Sequence, residues 1–224
     1  MNKEFLVLDI ETIPCQRDDV RKYIAATIKP PATYKKADSI AAWYKEQGQE
    51  AIEEAVSKTG LDGAFGQVCV VGFAVGDSHP ETISSLNESE LLNALNEKLD
   101  EVPASMHNAI TIVGHNLQSF DIRFLWQRYV VNGIRPHAII SAAVHAKSYD
   151  SRVFDTMTHF AGWGNRISLD KLCLALSIPS PKGDMDGSMV GKYVADGRIA
   201  EVAAYCKKDV IATREAYKRM TFQT

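Results

Sequence analysis

The chain has 224 residues, 46% of them apolar, with 25 basic side chains against 28 acidic ones and a net charge of −3. That length and apolar content can bury a substantial core and suit one domain over residues 1–224. The near balance of charge supplies no global electrostatic argument for a nucleic-acid partner, and it is silent on any local site. Cys15, Cys69, Cys173 and Cys206 are far apart, form no C-x-x-C pair and sit in apolar surroundings. Buried thiols in a reducing compartment are therefore expected, rather than disulfides or zinc ligands. The sequence runs almost at once into a strand, without the basic region and small-residue cleavage site of a secretory signal, and its longest apolar stretch, 68–75, is too short to span a bilayer. A soluble, cytoplasmic protein with no membrane partner is the expectation.

In chain order, an apolar run from Phe5 predicts a buried strand that carries Asp9 and Glu11 and ends at Pro14. Residues 15–66 show no strand pattern, balanced charge and a Lys-Pro-Pro-Ala breaker at 29–32, and read as a helical insertion with one helix over 40–56. A strand over 67–75, a turn at Gly76-Asp77-Ser78 and a weaker strand near 81–85 form an antiparallel pair. Asn87 and Glu90 have the spacing of a capping box, and Leu91, Leu92, Leu95 and Leu99 follow at helical spacing, which predicts a helix over 88–101. A short strand over 109–114 and a helix over 118–132 come next, then an ambiguous stretch at 138–149. A brief strand at 152–155, a helix at 168–176 and a closing helix at 199–220 complete the pattern. An antiparallel meander followed by helical crossovers implies a mixed sheet with helices around it, in the α/β class.

Asp9 and Glu11 are two apart on a strand and so share a face. Ionised carboxylates at the end of a buried strand are costly unless a cation pairs with them, and a divalent metal is the natural candidate. Asp121 stands in the first turn of the helix after the fourth strand, where the helix dipole alone is an ordinary reason for a carboxylate. Tyr205 and Asp209 are four apart on the closing helix, beside an apolar stripe of Ile199, Val202, Cys206, Val210, Thr213 and Tyr217; a solvated aspartate next to Lys208 is the competing reading. If these carboxylates converge, they suit two hard cations, Mg²⁺ or Mn²⁺, in oxygen coordination, and two such ions suit phosphodiester hydrolysis.

Asp9-Ile-Glu-Thr12, His115 to Asp121 and Tyr205-x-x-x-Asp209 together resemble, in order and spacing, the three motifs of the DEDD 3'-5' exonucleases. Ala204 stands where the histidine subclass has its His, and Tyr205 matches the tyrosine subclass. The segments 61–68, 168–172 and 204–210 are similar to the stand-alone group that resembles the proofreading domain of family-B DNA polymerases. This resemblance implies a ribonuclease-H-like fold with a five-stranded mixed sheet, and release of 5'-mononucleotides from the 3' end of a single-stranded nucleic acid, with DNA the expected polymer. It implies Asp9, Glu11, Asp121 and Asp209 as ligands of two divalent cations, and Tyr205 as the residue that orients water. Thr12, Asn116 and Phe120 flank these ligands and are candidates to touch the terminal nucleotide.

Asp155 could substitute for Asp209 in the metal constellation or hydrogen-bond a neighbouring loop, and the resemblance, which puts the fourth ligand at Asp209, leaves it outside the site; His115 is read as a structural histidine, and Trp43, Trp126 and Trp163 as packing residues. Lys171, Lys207, Lys208 and Arg166 are candidate phosphate contacts or solvated faces. Two other functions remain open to the residues: a nucleic-acid-binding module without catalysis, and a metal-dependent nucleotide phosphohydrolase. No polymerase or repair partner is named by any segment.

Overall fold

The first strand, β1 (Phe5–Ile13), is buried along nearly its whole length, which is why it reads as an unbroken apolar run rather than an alternating one. This is a computed structural model, and it describes residues 4–223 apart from 108, 148, 149, 182 and 184. After β1 come α1 (Asp18–Thr27), α2 (Ala37–Glu46), α3 (Gly48–Lys58), β2 (Gln67–Val75), β3 (Glu81–Ser84), α4 (Glu88–Asp100) and β4 (Thr111–Gly114). Then follow α5 (Asp121–Val131), α6 (Ala138–Val144), β5 (Val153–Asp155), α7 (Thr156–Ala161), α8 (Leu169–Leu176), α9 (Val190–Ala195) and α10 (Ile199–Met220).

The strands form a five-stranded sheet in the order β3-β2-β1-β4-β5. β2 pairs antiparallel with β1 and β3, whereas β4 pairs parallel with β1 and β5, so the expected mixed α/β sheet is present. Leu6, Leu8 and Ile10 face a core shared with Leu91, Leu95 and Leu99 of α4 and with Phe124, Leu125 and Tyr129 of α5. The odd-numbered residues of β1 face the other way: Phe5 and Val7 meet Val210 and Tyr217 of α10, and Ile13 meets Val202 and Cys206. All four cysteines are free and buried, as expected. Among the described residues, no helix is long and apolar enough to cross a membrane.

The insertion departs from the single helix expected over 40–56. It is two helices, broken at Gln47, whose backbone leaves the helical region at φ −124° and ψ −14°. The break folds α2 back beside α3, so that α3 can place Val56 against Val20 and Ile24 of α1 in a small core of its own. α1 itself, unforeseen from periodicity, carries Asp18 and Asp19 in its first turn, where the helix dipole favours them.

The expected helix at 118–132 begins later, at Asp121, because residues 116–120 form a turn instead. Asn116 adopts φ 63°, and the buried Asp155 carboxylate accepts the backbone N–H groups of Asn116 and Gln118 at 3.0 and 3.1 Å. The ambiguous stretch contains α6, with 148 and 149 outside the described residues. Trp43 is buried and Trp126 packs against the main core, but Trp163 is 78% exposed, contrary to the packing role expected of it; it lies between Gly162 and Gly164, both at positive φ, on a projecting turn.

Candidate active site

Asp9 faces α10 from β1, and its partner across the ladder is Gly72 of β2. A Cβ on Gly72 would lie 2.7 Å from Cys206 Sγ and 2.9 Å from Val210 Cγ2. Only glycine therefore lets α10 lie this close over the middle of the sheet. That approach puts the Cys206 thiol 3.2 Å from Asp9 Oδ2, and Asp9, Glu11 and Cys206 each offer an atom within 4.8 Å of the others. Asp209 follows Cys206 by three residues on the same helix and faces the same carboxylates, with Tyr205 one turn before it. Asp121 arrives from the other side: as the first residue of α5 it accepts the Ile10 N–H on Oδ1 at 3.1 Å, between Asp9 and Glu11 in the chain.

Burial raises all four carboxylates, and neighbouring negative charges add to the rise of Asp9, Glu11 and Asp121. Burial, then the charges of Glu11, Asp121 and Asp209, push Asp9 well above the ordinary carboxylate range. Glu11 rises likewise, through burial and then Asp209 and Asp121. Burial lifts Asp121 to about 8, although backbone N–H groups including that of Ile10 favour its charge. Asp209 is lifted to about 6 by burial, while the Tyr205 hydroxyl and the charge of Lys208 hold it down. Tyr205 is pushed upward from its ordinary value by burial and then by Asp209 and Glu11, so its phenol stays protonated.

Among the described residues, no ion pair reaches any of the four carboxylates. Asp209 is 9% exposed, and its Oδ1 is buried without a hydrogen-bond partner. A cluster of mutually repelling carboxylates with an orphaned oxygen is the electrostatic complement of a divalent cation, and an oxygen-rich donor set fits the hard ions Mg²⁺ and Mn²⁺. The Cys206 thiol is a soft atom grouped with Asp9 and Glu11. Burial and the charge of Asp9 push it well above the usual thiol range, which keeps it a neutral donor to Asp9.

The remaining candidates separate. The Thr12 hydroxyl donates to Gly60 O at 2.6 Å, which ties the end of β1 to the insertion. Asn116 has a buried side-chain oxygen without a partner, so it keeps an acceptor free. Phe120 is partly buried against the main core, with its ring 5.5 Å from that of Phe124. Asp155 caps α7 and braces the 116–118 turn with both oxygens, and its charge adds to the rise of Asp121. His115 is held by Thr156 Oγ1 and Ile167 O, each at 2.9 Å, and burial lowers its pKa; it is the structural histidine expected. Lys207 turns away to His79, 2.8 Å distant, whereas Lys208 lines a cleft with Tyr205 and Arg198. Sequence reasoning missed Gly72 and Cys206. The signal for Gly72 was a glycine inside an otherwise apolar strand, which marks a close approach.

Among solved structures, the fold is similar to that of the family B DNA polymerase from the hyperthermophilic archaeon Pyrobaculum calidifontis, with a TM-score of 0.59 and 14% sequence identity. The similarity covers 97% of this chain and 24% of that one, so the chain spans about a quarter of the polymerase. At that identity the likeness shows the fold alone, a mixed five-stranded sheet with flanking helices. No curated protein matches the sequence. A family model described as a predicted 3'-5' exonuclease related to the exonuclease domain of PolB matches residues 61–224. The match contains Asp121, Tyr205 and Asp209, while Asp9 and Glu11 lie before it and are joined to it by the β1–β2 pairing and the contact with α10. On that match, which spans most of its length, the chain belongs to the family of predicted 3'-5' exonucleases related to the exonuclease domain of PolB.

Proposed function

We propose that the protein is a metal-dependent 3'-5' exonuclease of the tyrosine subclass, which shortens single-stranded nucleic acid, DNA in the first instance, from its 3' end. The observation that carries this reading is the convergence of Asp9, Glu11, Asp121 and Asp209 on one spot that no ion pair reaches among the described residues, with Asp209 Oδ1 buried and unpartnered. These four residues would hold two divalent cations, Mg²⁺ or Mn²⁺. When bound, such a pair acidifies the attacking water and stabilises the in-line displacement at the phosphate.

The chain's own residues supply position and electrostatics. The backbone N–H of Ile10 holds the Asp121 carboxylate toward the cluster, and the Cys206 thiol does the same for Asp9. Tyr205 stays protonated and lies against Asp209, so its hydroxyl hydrogen is directed at that carboxylate and its oxygen lone pairs remain available to a water hydrogen. That makes it an orienting group rather than a base.

The test is digestion of matched DNA and RNA single strands, labelled at the 5' end, with Mg²⁺ and with Mn²⁺. The expected result is a ladder that shortens from the 3' end with release of 5'-mononucleotides. Asp9→Ala and Asp209→Asn are expected to lower the rate by about a hundredfold or more while the protein stays folded. Undiminished activity in either folded variant sinks the site, and hydrolysis of free nucleotides with intact polymers left uncut would favour a nucleotide phosphohydrolase instead.

A further inference from the structure

Just past β1 the chain turns at Pro14, and two segments distant in sequence meet there. A Cβ on Gly60 would lie 3.4 Å from Pro14 N, and one on Gly191 would lie 3.1 Å from Pro14 Cδ. Between them runs an open groove of about 600 Å³, lined among others by Thr12, Pro14, Lys58, Leu61, Ser188 and Lys192. One wall is the end of the insertion, and the other is the turn Gly187–Met189 with the start of α9.

The insertion wall is fastened to the strand that carries Asp9 and Glu11. Thr12 Oγ1 donates to Gly60 O at 2.6 Å, Cys15 N donates to Thr59 Oγ1 at 2.7 Å, and Thr59 is 6% exposed. The groove therefore begins one residue beyond Glu11, and Pro14 follows Glu11 by about 10 Å of extended chain. Nearly all of the insertion wall lies before the residues that the family model matches.

The lining suits a single-stranded polyanion. Lys58 and Lys192 stand on opposite walls. Lys192 has no ion pair among the described residues. Lys58 meets Glu54 at 2.6 Å, but both side chains are well exposed, and a pair of that kind contributes little and exchanges readily for a phosphate. Leu61, 76% exposed at the rim, offers an apolar surface to a base. Two opposed cations flanking an open glycine- and proline-floored channel form a small version of the charged grooves that track single strands.

We propose that this groove holds the single strand on the 5' side of the terminal nucleotide, with the insertion as one of its walls. The proposal rests on the exonuclease reading for its polarity. Its test is binding, which stands apart from cutting. Fluorescence anisotropy would compare a labelled dinucleotide with a longer oligothymidylate, in Ca²⁺ and over a range of salt, for the unchanged chain and for Lys58→Glu with Lys192→Glu.

The longer strand is expected to lose about tenfold or more in affinity, with the salt slope falling by about 0.7 for each lost contact. The dinucleotide, too short to reach the groove, is expected to change little. Unchanged affinity and slope for the longer strand in a variant that melts as the unchanged chain does would overturn the proposal. So would an unchanged chain that binds no longer strand at low salt, or variants that lose self-association in sedimentation while strand binding persists, which would assign the groove to a second copy. Groove-dependent binding without nucleotide release in Mg²⁺ would instead overturn the exonuclease reading and leave the groove standing.

Discussion

At the scale of single residues, the site depends on what surrounds each polar atom. Tyr205 illustrates this: burial and the carboxylates beside it raise its pKa, which disfavours the phenolate and suits the hydroxyl to orienting water rather than abstracting a proton. Tyr205→Phe keeps the ring and deletes the hydroxyl. It is expected to lower kcat by about a hundredfold, the scale at which misplacement of a reacting group is felt, and to leave the shape of the pH–rate profile intact. A profile that loses its limb in the variant would make Tyr205 a titrating base. The residues that carry this chemistry were legible because motif spacing is a local property. Cys206 was read as part of an apolar stripe, and its contact with Asp9 was invisible because the two are 197 positions apart.

At the scale of elements, Gly72 decides how close α10 comes to the sheet, and thereby whether Asp209 reaches Asp9 and Glu11. Gly72→Ala forces a methyl group against Cys206 and Val210. The expected cost is about 1–3 kcal/mol of stability, as for other overpacked cores, together with a loss of nuclease activity as α10 is displaced. Urea denaturation and the digestion assay would check both, and full activity at full stability would show that the helix is not held by this contact. A second device ties elements around the site. Glu88, at the start of α4, accepts Val68 N–H at 2.7 Å and forms a buried ion pair with Arg128 of α5 at 2.7 Å; Arg128 also donates to Gly63 O and Ala64 O at 3.2 Å. The segment 63–68 is thereby clamped to both helices, and the desolvation of the pair is offset by bonds on almost every polar atom. The capping box expected at Asn87 is half present: Asn87 accepts Glu90 N–H at 3.4 Å, while the Asn87 N–H donates to Ser85 Oγ instead of to Glu90.

At the scale of the whole molecule, the carboxylate cluster makes stability depend on pH and metal together. Asp209 at about 6 and Asp121 at about 8 bind protons in the folded state at pH values where the unfolded chain has released them. Their contribution is full below the unfolded value, near pH 4, and is lost as pH rises through about 6 and then about 8. The metal-free protein is therefore expected to melt at a progressively lower temperature from about pH 4 to about pH 8, most steeply below about pH 6, where both aspartates contribute. Mg²⁺ or Mn²⁺ displaces those protons, so its stabilisation is expected to grow over the same interval. Thermal melts with chelator and with each ion would check both slopes, and a metal-independent melting temperature at the upper pH would argue that the cluster holds no ion.

The sequence alone determined the succession of strands and helices along the chain, the mixed character of the sheet, the shared strand face of Asp9 and Glu11, and the place of Asp209 beside the apolar stripe of the closing helix. Those properties follow from periods of two and about 3.6 residues, which are local. It could not determine that one helix over 40–56 would break at Gln47, because the break depends on how α3 meets α1 and not on the pattern within the segment. The tertiary structure alone decided that Asp121, 111 positions from Ile10, would reach the backbone of β1, and that Gly72 would admit α10 to the same spot. It also decided that the insertion would end beside the site, fastened through Thr12 and Thr59. Distances between elements are set by the packing of side chains remote in sequence, and a site assembled from four elements exists only once that packing is complete.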